Sequence, residues 1–243
     1  MQALFYVTLL AYSAQCAVPK VGSFTTRYWD CCKPSCSWEG KAKTGQVVRS
    51  CKADGFQTIN PSNTNVCIPS NPNGSTSRDS GSYMCNDQQP FVDSNNPNLA
   101  YGFAAANSGL VPGGERESCC SCYKLQFNDP KLSGKTMIVQ ITNTGGDLAG
   151  QQFDLALPGG GVGYFRGACK TQWGVQDQNG QSGWGDTYGG VKSRNQCEQL
   201  PNEIRRGCYF RFDWFNNADN PGISYSKVTC PTQLTSITGC TNN

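Results

Sequence analysis

No histidine occurs anywhere in the 243-residue chain. A Ser-His-Asp or Cys-His nucleophile system is therefore excluded, as is a catalytic metal held by imidazole. Any enzyme chemistry must move protons with carboxylates, tyrosine, lysine or water. Charge is scarce too: Asp, Glu, Lys and Arg make up 15% of the residues, and the formal net charge is +3. That surplus is too small to argue for nucleic acid or an acidic membrane surface as partner. It predicts a neutral, polar surface suited to a hydroxyl-rich partner such as a glycan. No repeat, charge block or long linker interrupts the chain.

Long apolar runs are also missing. The run ALFYVTLLAYSA at 3–14 falls well short of the roughly 20 residues that span a bilayer, and no later segment is apolar enough to do so. Its length is that of a signal-peptide core, and Ala14-Gln15-Cys16 places small residues at the −3 and −1 positions of a cut before Ala17. The expectation is a signal peptide over 1–16, a single secreted, extracellular domain over 17–243, and no membrane association.

Cysteine, by contrast, is abundant. Of 15 cysteines, removal of Cys16 with the leader leaves 14, enough for seven disulfides. Even parity is what an oxidising compartment predicts, although the count alone specifies no pairing. Cys31-Cys32 and Cys119-Cys120-Ser121-Cys122 lack the repeated two-residue spacing of zinc sites. No metal and no cofactor are expected.

Several segments alternate in the manner of strands. Tyr123, Leu125 and Phe127 share one face of CYKLQF; Met137, Val139 and Ile141 share one face of TMIVQIT. In CYFRFDW, Cys208, Phe210, Phe212 and Trp214 alternate with Tyr209, Arg211 and Asp213, and ISYSKVTC near the C-terminus has the same character. Helical signals are short: YGFAAAN at 101–107, and SRNQCEQL at 193–200 with Ser193 as its cap. The stretch 60–82, rich in Asn, Ser, Pro and Gly, reads as a surface loop and carries the sequon Asn73-Gly74-Ser75. Many strands, few helices and 28 glycines point to a compact β-barrel with long loops held by disulfides. No exposed amphipathic helix or apolar strand suggests an assembly surface, so a monomer is expected.

Three stretches present carboxylates in settings that suit chemistry. Asp30 lies in TTRYWDCCKPSC, between aromatics and paired cysteines whose disulfides would hold its backbone still. Asp147 follows two glycines in TGGDL, a hinged turn. Asp154 lies in FDLALPGGGVG, where the apolar neighbours Phe153 and Leu155 favour burial and a raised pKa. The PGGGVG run lacks the Gly-Lys-Ser/Thr ending of a P-loop and the spacing of a dinucleotide site. Its glycines instead let two backbone segments approach closely.

Together these stretches resemble family 45 of the glycoside hydrolases, small secreted endoglucanases. The likeness continues through Tyr101-Gly102-Phe103-Ala104-Ala105, Cys119-Cys120-Ser121-Cys122-Tyr123, Tyr188-Gly189-Gly190 and the run from Phe212 to Pro221. The resemblance implies a mainly β fold, a six-stranded double-psi β-barrel with long disulfide-pinned loops and a few short helices. It implies an endo-β-1,4-glucanase (cellulase) that inverts the anomeric centre of a β-1,4-glucan without a metal. By position, Asp30 corresponds to the general base, Asp154 to the general acid and Asp147 to a supporting carboxylate on a loop. Thr26 and Tyr28 lie where the family places residues beside the base, and Trp38 and Tyr188 match aromatics that contact sugar rings. The implied disulfides are Cys31–Cys169, Cys32–Cys67, Cys36–Cys119, Cys51–Cys85, Cys120–Cys240, Cys122–Cys230 and Cys197–Cys208.

One departure from the family pattern is Gln152, where His is common two residues before the acid; it bears on pH profile and substrate preference. The cellulose-binding module and linker of some members are not legible, so weak adherence to crystalline cellulose is expected. Two alternatives stand beside the cellulase reading. One is a xyloglucan- or mannan-directed hydrolase of the same family. The other is a non-hydrolytic, expansin-like glycan-binding protein, which would lack the segment bearing Asp30.

Overall fold

A computed structural model describes residues 20–107, 109–175 and 183–243; the expected leader at 1–16 lies outside them. Six longer strands form: β1 Lys20–Tyr28, β2 Leu99–Asn107, β3 Cys122–Phe127, β4 Thr136–Gly145, β5 Gln152–Ala156 and β6 Gly222–Val228; three of them, β3, β4 and β6, come from the alternating segments. They pair in the order β5-β1-β6-β3-β4-β2, and β2 pairs back onto β5, so the six strands close into a ring. Two of the pairings, β1–β5 and β2–β4, are parallel; the other four are antiparallel. A two-residue strand, Phe91–Val92, adds to the start of β2.

The ring buries one face of each alternating strand. Tyr123, Phe153 and Tyr225 meet edge to face, with centroids 4.8–5.8 Å apart. Leu125, Val139, Ile141, Leu155 and Ile223 pack in the same buried cluster. Each such side chain contributes roughly 1.5–3 kcal/mol of burial. Outside the ring, irregular backbone is held by seven disulfides: Cys31–Cys169, Cys32–Cys67, Cys36–Cys119, Cys51–Cys85, Cys120–Cys240, Cys122–Cys230 and Cys197–Cys208. Each contributes about 2–4 kcal/mol by restricting the unfolded chain. Among the described residues, no helix is long and apolar enough to cross a membrane.

Two segments differ from their sequence expectation. CYFRFDW is not a strand; it is the second half of a helix, Asn202–Asp213. Over that wider window the buried positions are Ile204, Gly207, Cys208, Phe210 and Arg211; all but Phe210 follow the i, i+3, i+4, i+7 spacing of a helix face. YGFAAAN is not helical but forms most of β2, buried from Ala100 to Ala106. Strands β4 and β5 flank it, and small side chains fit where both faces are covered; a Cβ on Gly102 would collide with Met137. Packing overrides the helix preference of alanine here. The segment after Ser193 is a 3-10 helix, Arg194–Gln199. The 60–82 loop carries a short pairing of Cys67–Ile68 with Asn71–Ser75.

Candidate active site

Asp30, Asp147 and Asp154 line a single cleft of about 980 Å³. Thr26, Tyr28, Trp38 and Tyr188 line the same cleft. The topology explains the convergence, because β1 ends at Tyr28 beside Ala156, the last residue of β5. Asp30 therefore follows β1 at the same end of the sheet where β5 presents Asp154.

Asp30 is 8% exposed. The Cys32 N–H donates to its Oδ1 at 3.0 Å. Cys31, between them, has φ 64°, a left-handed conformation unusual for a residue with a side chain. Disulfides to Cys169 and Cys67 hold this turn from both sides. Burial lifts the Asp30 carboxyl to about 6; the Cys32 N–H opposes the rise, and the charge of Asp147 adds to it.

Asp154 sits opposite Thr26 in the parallel β1–β5 register. Along β5 the side chains alternate, so Gln152 and Asp154 are partly exposed while Phe153 and Leu155 are fully buried in the core. The neighbours expected to lift the acid's pKa therefore turn away from the cleft. The carboxyl nevertheless rises to about 7, chiefly through burial and then through the charges of Asp30 and Asp147. A hydrogen bond from Thr26 Oγ1 to Asp154 Oδ1 (2.6 Å) and the nearby charge of Arg27 oppose the rise. Thr26 thus bonds to Asp154, in the same cleft as Asp30, beside which it was expected. Tyr28 is buried at the end of β1, and its phenol is held well above the ordinary range by burial and by the charges of both Asp30 and Asp154.

Asp147 is exposed on the turn that follows β4. A Cβ on Gly145 would lie 2.5 Å from its Oδ1, so that glycine makes room for the carboxylate. The start of the turn is anchored: Thr144 N–H donates to Ser35 Oγ at 2.8 Å, and Thr144 Oγ1 donates to Glu115 Oε1 at 2.6 Å.

The glycine run after Asp154 is a backbone crossing. A Cβ on Gly160 would lie 2.7 Å from Leu157 O and 3.0 Å from Tyr28 N. One on Gly161 would lie 2.7 Å from Thr187 O and 2.9 Å from Gly189 N. The run is threaded between the end of β1 and the turn carrying Tyr188, whose ring is 72% exposed. Trp38 is half-buried, with the Lys33 ammonium 3.3 Å from its ring centroid. That ammonium donates to Asn63 O at 2.9 Å and to Pro61 O.

Among the cleft residues that escaped the sequence reading as site residues are Arg27, Lys33, Asn143 and Tyr164. Tyr164 is 55% exposed, and only its place just after the glycine run could have pointed to it. Asn143 Nδ2 donates to Tyr28 Oη at 3.4 Å, a contact no local pattern encodes. Chemically, the cleft offers two carboxyls with raised proton affinity, a third exposed carboxylate and aromatic surfaces for an apolar ring face.

The comparisons with known proteins agree with this chemistry. The chain is 50% identical over 216 residues to an endoglucanase of Cryptopygus antarcticus, spanning 89% of this chain and 87% of that protein. It is 44% identical to an endoglucanase of Phaedon cochleariae, spanning 89% of this chain and 82% of the relative. The crystal structure of the cellulase from the Antarctic springtail Cryptopygus antarcticus superposes with a TM-score of 0.79 at 48% identity, covering 92% of this chain and 99% of that one. The model for glycosyl hydrolase family 45 matches residues 22–241, and the chain belongs to that family.

Proposed function

We propose that this chain is an endo-β-1,4-glucanase that cuts β-1,4-glucan internally with inversion at the anomeric carbon. The observation that carries the reading is the pairing of Asp30 and Asp154 in one open cleft, with carboxyls lifted to about 6 and about 7. Asp154, the more strongly lifted of the two, keeps the proton of the pair while Asp30 is ionised. Asp154 gives its proton to the glycosidic oxygen as the C1–O bond breaks. Asp30 takes a proton from the water that attacks C1 on the opposite face. Such a pair works at a separation of about 6.5–9.5 Å, which leaves room for that water. Asp147 adds negative charge near both groups and stands on the loop over the cleft.

Trp38 and Tyr188 serve as platforms for glucose faces, with CH groups against the π surface. A groove with several such platforms binds the polymer along its length and so favours internal cuts. The closed six-strand ring, with its two parallel pairs β1–β5 and β2–β4, supports a double-psi β-barrel. The seven disulfides support secretion; the same reading takes 17–243 as a single catalytic domain, freed of the leader at 1–16 and acting as a monomer.

The test is product analysis by anomeric NMR on soluble β-glucan, with a panel of cellulose derivatives, mixed-linkage glucan, glucomannan and xyloglucan to fix the preferred polymer. The first product formed is the α-anomer. Asp30→Ala and Asp154→Ala abolish reducing-end release while near-UV circular dichroism stays native. A folded double variant with full activity, or β-anomer as first product, refutes the assignment.

A further inference from the structure

Gln152 lies two residues before Asp154 on the same side of β5, and its amide is held at both ends. The Ala149 N–H donates to Oε1 at 2.9 Å, and the Gln152 N–H returns a bond to Ala149 O at 3.0 Å. Only the amide oxygen can accept from Ala149, so the NH₂ end faces the other way. Nε2 donates to Thr26 Oγ1 at 2.7 Å, and Thr26 Oγ1 donates to Asp154 Oδ1 at 2.6 Å. Every link then has one polarity. An amide NH₂ only donates, so Thr26 Oγ1 accepts from Gln152 and its single proton is left for Asp154 Oδ1, which accepts both in the ionised carboxylate and in the acid whose proton sits on Oδ2.

We propose that Gln152 is a positioning residue that commits the Thr26 proton to Asp154 Oδ1 and so leaves Oδ2 as the oxygen carrying the transferable proton. This rests on the reading of Asp154 as proton donor. It also ties the donor to the loop above it, because Ala149 is two residues from Asp147. A glutamine amide does not titrate, so the donor end of the relay is the same at every working pH. The other charged or titratable groups acting on Asp154 or adjoining it are Asp30, Asp147, Arg27 and Tyr28; none belongs to the relay.

The test follows the Asp154 carboxyl carbon by NMR through a pH titration of the full chain. Thr26→Val removes the bond to Oδ1 and moves the midpoint up by about one pH unit. Thr26→Ser keeps the midpoint near wild type. Gln152→Met, of similar length but without a donor, moves it up by at least half as much as Thr26→Val. The double variant Thr26→Val/Gln152→Met titrates like Thr26→Val alone, because Gln152 acts through that hydroxyl. A wild-type midpoint in Gln152→Met overturns the proposal, as does an equal added shift in the Thr26→Val background. Should Gln152→Met fail to fold, Gln152→Leu removes the same donor without adding a charge; an unmoved midpoint there is equally fatal. Activity of Asp154→Asn is assayed in parallel. Full activity in that variant removes the proton-donor reading, while the titration cycle still judges the relay.

Discussion

The Trp29 N–H donates to Gly161 O at 2.7 Å, joining the residue before Asp30 to the glycine run that follows β5. The two carboxyl-bearing segments are therefore stitched together through backbone, and the distance between Asp30 and Asp154 is set by that crossing. Gly161 has φ +102°, and the nearest atoms to a Cβ there are backbone. Gly161→Ala strains the crossing by at least about 2 kcal/mol. Denaturant unfolding registers that loss, and kcat on soluble β-glucan falls roughly 10- to 100-fold because the carboxyls separate. Unchanged kcat in a destabilised protein contradicts the coupling.

In the proposed mechanism, activity depends on Asp30 being ionised and Asp154 protonated. With their carboxyls at about 6 and about 7, kcat/KM follows a narrow bell with limbs near those values. The limbs belong to the coupled pair and not to either residue alone. A pH–rate profile on an uncharged glucan checks this, and a plateau extending several pH units above 8 contradicts it.

The same shifts make a stability prediction. Both carboxyls lie above their ordinary value of 3.8, so between about 4 and 7 the folded protein binds more protons than the unfolded chain. Stability therefore falls as pH rises through that range, and the loss is complete above about 7. Asp154→Asn removes the burdened carboxylate and is more stable than wild type at pH 8, by of the order of 2 kcal/mol, with little difference at pH 4. Melting temperatures at the two pH values decide the matter; equal gains at both would point to another cause.

Lys33 covers one face of Trp38 at 3.3 Å, which in the proposed mechanism leaves the other face for a sugar. Trp38→Ala raises KM about 2- to 10-fold on soluble β-glucan with a smaller change in kcat. Lys33→Met leaves the Pro61 and Asn63 carbonyls without their donor. It lowers stability by about 1–2 kcal/mol in denaturant unfolding. A KM unaffected by Trp38→Ala removes that ring from the binding surface.

Period-two alternation made β3, β4 and β6 legible, because one face of each is dry and the other is not. It misled at CYFRFDW, where seven residues alternate by coincidence within a helix whose true period needs the window from Ile204 to Arg211 to be seen. It was silent at YGFAAAN, because a strand covered on both faces has no alternation to read. The three carboxylates stood out by their local surroundings, yet the partner of Thr26 did not. That hydroxyl was expected beside Asp30 and is bonded to Asp154, 128 positions away in the chain.

By itself the sequence determined the chemistry available: without histidine, proton transfer falls to carboxylates, and the abundance of cysteine points to an oxidising compartment. Only the tertiary structure decided how those groups are used. The parallel β1–β5 register places Thr26 against Asp154, the glycine crossing brings Asp30 alongside, and β5 turns Phe153 inward and Asp154 to the cleft. Proton affinity and hydrogen-bond direction depend on burial and on neighbours distant in the chain, and those exist only once the strands have paired.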